Sequence, residues 1–172
     1  DLDLKVFARP GPFINSELRC GGFPRWLFEN HPETLSCRSD GQKATGRPLP
    51  AEGEPLYRHY VRKWYEAIVP LLAEYDIQAG GPIILFQPDN ELSASWSYGL
   101  LNSLFDPTVC KTHWPAWLTD TYVDIDALNQ RYGTRYESIR EIEPPRSMPE
   151  TPEQKRLCFD WMTFQRDFFA QW

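Results

Sequence analysis

Apolar positions along this chain switch between a period of two and a period near 3.6, and the switches mark its elements. Over residues 4–9, Leu4, Val6 and Ala8 alternate with Lys5, Phe7 and Arg9, the pattern of a strand. Pro10-Gly11-Pro12 stops it. A short helix is predicted at Pro24-Arg25-Trp26-Leu27-Phe28-Glu29, with Pro24 near its first turn. Across residues 55–75, Val61, Trp64, Tyr65, Ile68, Val69 and Leu72 recur every three or four positions, an amphipathic helix that Pro70 should kink or split. Gly80-Gly81 then precedes an apolar run over residues 82–87, a second strand.

The rest is less regular. Ser39 to Gly53 is polar and punctuated, and reads as an exposed loop of a length that is usually functional. Ser95 to Phe105 is aromatic and loop-like. Helices are predicted at about 114–121 and 124–132, the second with Asp124 as N-cap and Gly133 as stop. Pro144-Pro145 and Met148-Pro149 form a linker-like break. Thr151-Pro152-Glu153 opens a last helix to about Trp172, with Leu157, Trp161, Phe164 and Phe168 on one face. Strand, helix, strand in this order argues for a parallel βαβ unit. Its right-handed crossover would put the residues just after 9 and just after 87 on one rim.

Composition narrows the function classes. Lys and Arg total 18 and Asp and Glu 24, a net charge of −6 with no basic block, which argues against a nucleic-acid partner. The apolar runs are strand-sized, so no membrane partner is expected. The chain of 172 residues has no starting Met and enters a strand pattern almost at once, as expected of a stretch from within something larger. Cys20, Cys37, Cys110 and Cys158 form no CxxC pair, and with only His31, His59 and His113 no zinc spacing can be built. Free or buried thiols are the favoured reading, with a Cys20–Cys37 bridge as the alternative.

The chemistry concentrates where the second strand ends. Gly80-Gly81-Pro82-Ile83-Ile84-Leu85-Phe86-Gln87-Pro88-Asp89-Asn90-Glu91 places a carboxylic acid, with an amide beside it, at the C-terminal tip of a buried strand. In a barrel of alternating strands and helices that tip is where catalysis sits. A Glu flanked there by apolar residues suits a general acid of raised pKa.

Two blocks carry a family resemblance. Arg9-Pro10-Gly11-Pro12-Phe13-Ile14-Asn15-Ser16-Glu17 with Gly21-Gly22-Phe23-Pro24-Arg25-Trp26-Leu27, and the Gly80–Glu91 block, resemble the signatures of family 35 glycoside hydrolases, the β-galactosidases, over residues 4–92. Further on, Trp117-Leu118 and Asp126-Ala127-Leu128-Asn129-Gln130-Arg131-Tyr132-Gly133-Thr134 look more like family 42 β-galactosidases of the same clan. The resemblance implies an α/β fold: a partial (β/α)8 TIM barrel covering about strands 3 and 4 with flanking helices, the whole chain being a fragment of a single catalytic domain.

The same resemblance implies the roles. Glu91 would be the acid/base of a retaining mechanism and Asn90 would bond the sugar 2-OH. Asn15, Ser16 and Glu17 would hold the terminal galactose, and Asp89 would be structural or would support the site from behind. The nucleophile, a Glu on a later strand, is expected outside this chain, because Glu141 and Glu143 sit in a charged, surface-like context. The expected partners are a β-galactoside or related oligosaccharide and the remainder of the barrel, and no metal or organic cofactor is implied. Leu18, Ser16, Leu92 and Ser93 depart from the family pattern. They motivate one alternative, a same-clan β-glycosidase for glucosamine, arabinose or glucose; a non-catalytic sugar-binding barrel is a separate one, against which the retained Asn90 and Glu91 argue. Alone, the 172-residue stretch is expected to be inactive and poorly soluble.

Overall fold

The computed structural model describes residues 3–14, 18–45, 49–90, 101 and 103–171. Two strands, β1 (Val6–Ala8) and β2 (Ile83–Phe86), form a parallel pair across the helix α2 (Pro55–Ala73). Val6 pairs with Ile83, Phe7 with Leu85 and Ala8 with Phe86, so Ile84 is an extra residue and the register shifts between Val6 and Phe7. The ladder continues one step past β2, where Gln87 N–H donates to the Ala8 carbonyl at 2.9 Å. Both strands therefore end on one rim, as the strand–helix–strand order predicts.

The turn that feeds β2 needs its glycines. Gly80 sits at φ +85°, and a Cβ on Gly81 would lie 2.0 Å from the Tyr75 carbonyl oxygen. Pro70 does not split α2, which runs one further turn to Ala73. A proline this close to a C-terminus costs a single backbone bond, so the helix tolerates it there.

The first packed region lies under α2. The short helix α1 (Arg25–Asn30) presents Leu27 and Phe28 to Tyr57 and Val61 of α2, with Phe13, Phe23 and Leu35 completing the cluster. The Phe23 ring meets those of Phe28 and Tyr57 edge-on, at 5.4 and 5.9 Å between centroids. Burial on α2 fades along its length, and Trp64, Val69 and Leu71 are exposed.

The second packed region is helical. It gathers α3 (Trp114–Thr121), α4 (Ile125–Tyr132) and α5 (Pro152–Phe169), with a π-helical turn over Val109–His113 leading into α3. Trp114, Leu118, Leu128, Trp161 and Phe164 are buried together, and the Trp114 indole donates to the Ile142 carbonyl at 2.8 Å. The predicted face of α5 is the buried one, though Leu157 on it is only half-buried. Local signals set the ends where the Asp124 cap, the Gly133 stop and the Thr151 start are expected. Asp124 accepts from Ala127 N–H at 2.8 Å, Gly133 closes α4 at φ +71°, and Thr151 and Gln154 form a reciprocal capping box on α5.

Two expectations need correction. The stretch Ser39 to Gly53 is not simply an exposed loop. Leu35 bridges Pro50 and Cys37 bridges Lys43 in antiparallel fashion, and Ala44, Leu49, Ala51, Glu52 and Gly53 are buried. The Asp106 carboxylate holds the segment just before this stretch to the helical region, accepting from Ser36 Oγ at 3.2 Å and Cys37 N–H at 2.9 Å. Pro144-Pro145 breaks the helical pattern but is buried, because proline rings are apolar and pack as well as they punctuate. The favoured reading of the cysteines holds: all four are free thiols, and Cys20 and Cys37 are not bridged. Glu141 and Glu143 are exposed, as expected.

Candidate active site

Where β1 and β2 end, two loops face each other: residues 9–14 after β1 and residues 87–90 after β2. Helix α2 holds both through two neighbouring aromatic residues. The Trp64 indole donates to the Pro10 carbonyl at 3.1 Å. The Tyr65 hydroxyl donates to the Gly11 carbonyl at 2.9 Å and also contacts the Pro88 carbonyl, so one phenol spans the loops. A Cβ on Gly21 would come within 2.2 Å of the Phe13 ring, which places the glycine-rich turn hard against the first loop.

Asp89 provides a second clamp. Its carboxylate accepts from Phe13 N–H at 3.1 Å and from Asn90 N–H at 2.7 Å, tying the two strand ends together. Burial pushes its pKa up to about 6 even though both N–H groups pull it down. Asp89 thus joins the ends of β1 and β2 through backbone donors on both sides. Burial likewise raises the Tyr65 phenol, with the Asp89 charge adding to it, so that hydroxyl stays a donor.

Asn90 is buried, and its side-chain oxygen is where polar groups converge. The Arg9 guanidinium donates to Asn90 Oδ1, and Gln87 Nε2 reaches the same oxygen at 3.4 Å. Arg9 also reaches the Ile14 carbonyl at 3.4 Å. Of the residues predicted for the site, Asn90 is brought to this rim. Glu91, Asn15, Ser16 and Glu17 lie outside the described residues.

Sequence reasoning missed Arg9, Gln87, Tyr65 and Trp64 as a set. The available signal was a Trp-Tyr pair on the apolar stripe of a helix, two side chains with polar tips where Leu or Val would pack as well. It also missed Glu52, in the supposed exposed loop. Glu52 is buried and its Oε2 has no hydrogen-bond partner among the described residues. Its pKa is raised well above the carboxylate range, chiefly by burial, with the Asp106 and Asp89 charges adding to the effect and Arg58 opposing it.

Comparison with known proteins identifies the fold and family. The family model for β-galactosidase, glycoside hydrolase family 42, matches residues 11–172. This chain belongs to that family. The match crosses both resemblances seen in the sequence, and it gives family 42 where residues 4–92 had suggested family 35. Among curated proteins, an exo-β-D-glucosaminidase of Pyrococcus horikoshii is 34% identical over 95% of this chain and 21% of its own length. A β-galactosidase of Thermus thermophilus is 32% identical over 84% of this chain and 22% of its own length. The crystal structure of a β-galactosidase from the psychrophilic Marinomonas ef1 superposes with a TM-score of 0.55 at 19% identity, covering 96% of this chain and 31% of that one. The chain thus spans about a fifth of the curated relatives it matches.

Proposed function

We propose that this chain carries the acid/base side of the active site of a retaining glycoside hydrolase that releases terminal β-galactose. The observation that carries the reading is the shared rim: parallel pairing brings the Arg9–Ile14 loop and the Gln87–Asn90 strand end together, with Asn90 buried against Arg9 and Glu91 next in the chain. Glu91 protonates the glycosidic oxygen as the bond breaks, then takes a proton from the water that hydrolyses the glycosyl-enzyme. Asn90 bonds the sugar 2-OH, and Asn15, Ser16 and Glu17 hold the other ring hydroxyls. The nucleophilic carboxylate comes from outside these residues.

In this reading β1 and β2 are the third and fourth strands of a (β/α)8 barrel. Exposure supports it. Val6, Phe7, Ile84, Leu85 and Phe86 are each 40% exposed or more, on strands of a parallel type that is normally covered on both faces. Neighbouring strands and helices of a barrel would cover them.

A second reading, hydrolysis of β-glucosaminides, is favoured by the identity to the exo-β-D-glucosaminidase. A panel of p-nitrophenyl β-glycosides offered to the full-length protein that carries this chain separates the two. The proposal expects the galactoside to be turned over best, with the β-anomer as first product by NMR. Preference for the glucosaminide favours the second reading, and inertness toward the whole panel leaves a sugar-binding barrel.

A further inference from the structure

The orientation of one amide deepens this reading and rests on it. An asparagine side chain offers an acceptor oxygen on one side and an NH₂ donor on the other, and the bonds around it decide which faces where. Here the decision is unambiguous. Arg9 is all donor, with no acceptor anywhere on its guanidinium, and it bonds Asn90 Oδ1. Gln87 Nε2 converges on the same oxygen at 3.4 Å. Turning the amide over would set its NH₂ against a guanidinium. Asn90 is only 8% exposed, so the group could not relax into water. Among the described residues nothing accepts from its Nδ2.

We infer that Arg9 is a positioning residue that, with Gln87, holds the Asn90 amide oxygen and leaves the Nδ2 donor for the glycone, so that the site reads the sugar's 2-substituent as a hydrogen-bond acceptor. A 2-hydroxyl satisfies that donor with a lone pair. A 2-ammonium cannot, because it carries three donors and no acceptor, and it would also meet the Arg9 positive charge close by. The reach of Arg9 is itself set by the fold. Arg9 follows β1 directly, Asn90 lies 81 positions further on, and the Gln87–Ala8 ladder bond fixes the offset between the two strand ends. The site thereby selects 2-hydroxy over 2-amino glycones, and Arg9 is what makes the selection.

The test uses the full-length protein with p-nitrophenyl β-galactoside, its 2-deoxy analogue and its 2-amino-2-deoxy analogue. The wild type should turn over the parent galactoside far better than either analogue. In Arg9→Ala the ratio of kcat/KM for galactoside over 2-deoxygalactoside should fall roughly tenfold, because an unheld amide no longer delivers its donor to the 2-OH. Turnover of the 2-amino analogue should rise relative to the 2-deoxy one, since the nearby cation is gone. Arg9→Lys retains a positive donor and should recover part of both ratios, and it serves in place of Arg9→Ala if the latter fails to fold by far-UV circular dichroism. Equal losses on all three substrates would make Arg9 merely structural and overturn the inference while leaving the hydrolase reading intact. A wild-type preference for the 2-amino analogue would overturn it too. Inertness of the wild type toward every aryl glycoside would remove the hydrolase reading itself, and the inference with it.

Discussion

The two packed regions of this chain solve the same problem differently. The helical region of α3, α4 and α5 closes its own core: Trp114, Leu118, Leu128 and Trp161 are each 0% exposed. The region that carries the candidate site does not. Its strands leave Phe7 at 53%, Leu85 at 57% and Phe86 at 41% exposure, and α2 leaves Leu71 at 56%. One region is stabilised by what it contains, and the other leaves large apolar side chains open. The candidate site lies in the second, at strand ends held by polar clamps from Tyr65, Asp89 and Arg9 rather than by burial alone.

The largest test of this contrast is in the closed region. Trp161 stacks at 5.0 Å on Phe164 and meets Trp114 edge-on at 5.3 Å. Trp161→Ala should cost about 3–5 kcal/mol, the range for an emptied aromatic core site, and melt α5 in the 172-residue chain. Chemical denaturation followed by far-UV circular dichroism reads it, and a loss below about 1 kcal/mol would break the comparison. In the open region the outcome should depend on context. Leu85→Ala should fall within about 0.5 kcal/mol in the 172-residue chain, as for exposed positions, but cost about 2–5 kcal/mol in the full-length protein, where barrel neighbours would bury it. Equal small effects in both would remove the barrel placement of β2.

A smaller effect sharpens the seam between Ser36-Cys37 and the helical region. Burial pushes the Asp106 pKa up to about 6 from an ordinary 3.8, against the pull of Cys37 N–H and Lys43. A carboxyl raised in the folded state favours its neutral form there. Folding stability from this group is therefore highest at acid pH, falls as pH rises from about 4 through about 6, and is level above. Asp89, also pushed up to about 6, adds a slope of the same sign. Asp106→Asn keeps both hydrogen bonds possible and should flatten the Asp106 share of that slope in urea melts taken at pH 4 and 7. An unchanged slope would show that Asp106 ionises as readily folded as unfolded.

What could be read from the sequence divides along physical lines. Features set by nearest neighbours were legible. The Asp124 cap, the Gly133 stop, the helix start at Thr151 and the amphipathic α5 all follow from residues within a turn or two. Features set by distant partners were not. Ser39 to Gly53 looks polar because its residues are, yet Ala51 is 0% exposed, and a Cβ on Gly53 would fall 2.5 Å from Val109 of the helical region. Pro144-Pro145 has the composition of a linker and the burial of a core. The site divides in the same way. The Asn90-Glu91 pair is visible as a motif at a strand end. The Arg9–Asn90 contact joins positions 81 apart, and no local pattern in either segment announces it.

The most direct test of the central claim, that Glu91 is the acid/base of a glycoside hydrolase, is Glu91→Gln in the full-length protein, assayed on two leaving groups. Hydrolysis of an alkyl or oligosaccharide β-galactoside needs a proton on the departing oxygen and should fall by roughly 10²–10⁴-fold. Formation of the glycosyl-enzyme from an aryl galactoside with a very good leaving group should suffer much less, read as a retained burst of phenol. Turnover of both substrates at the wild-type rate would contradict the assignment.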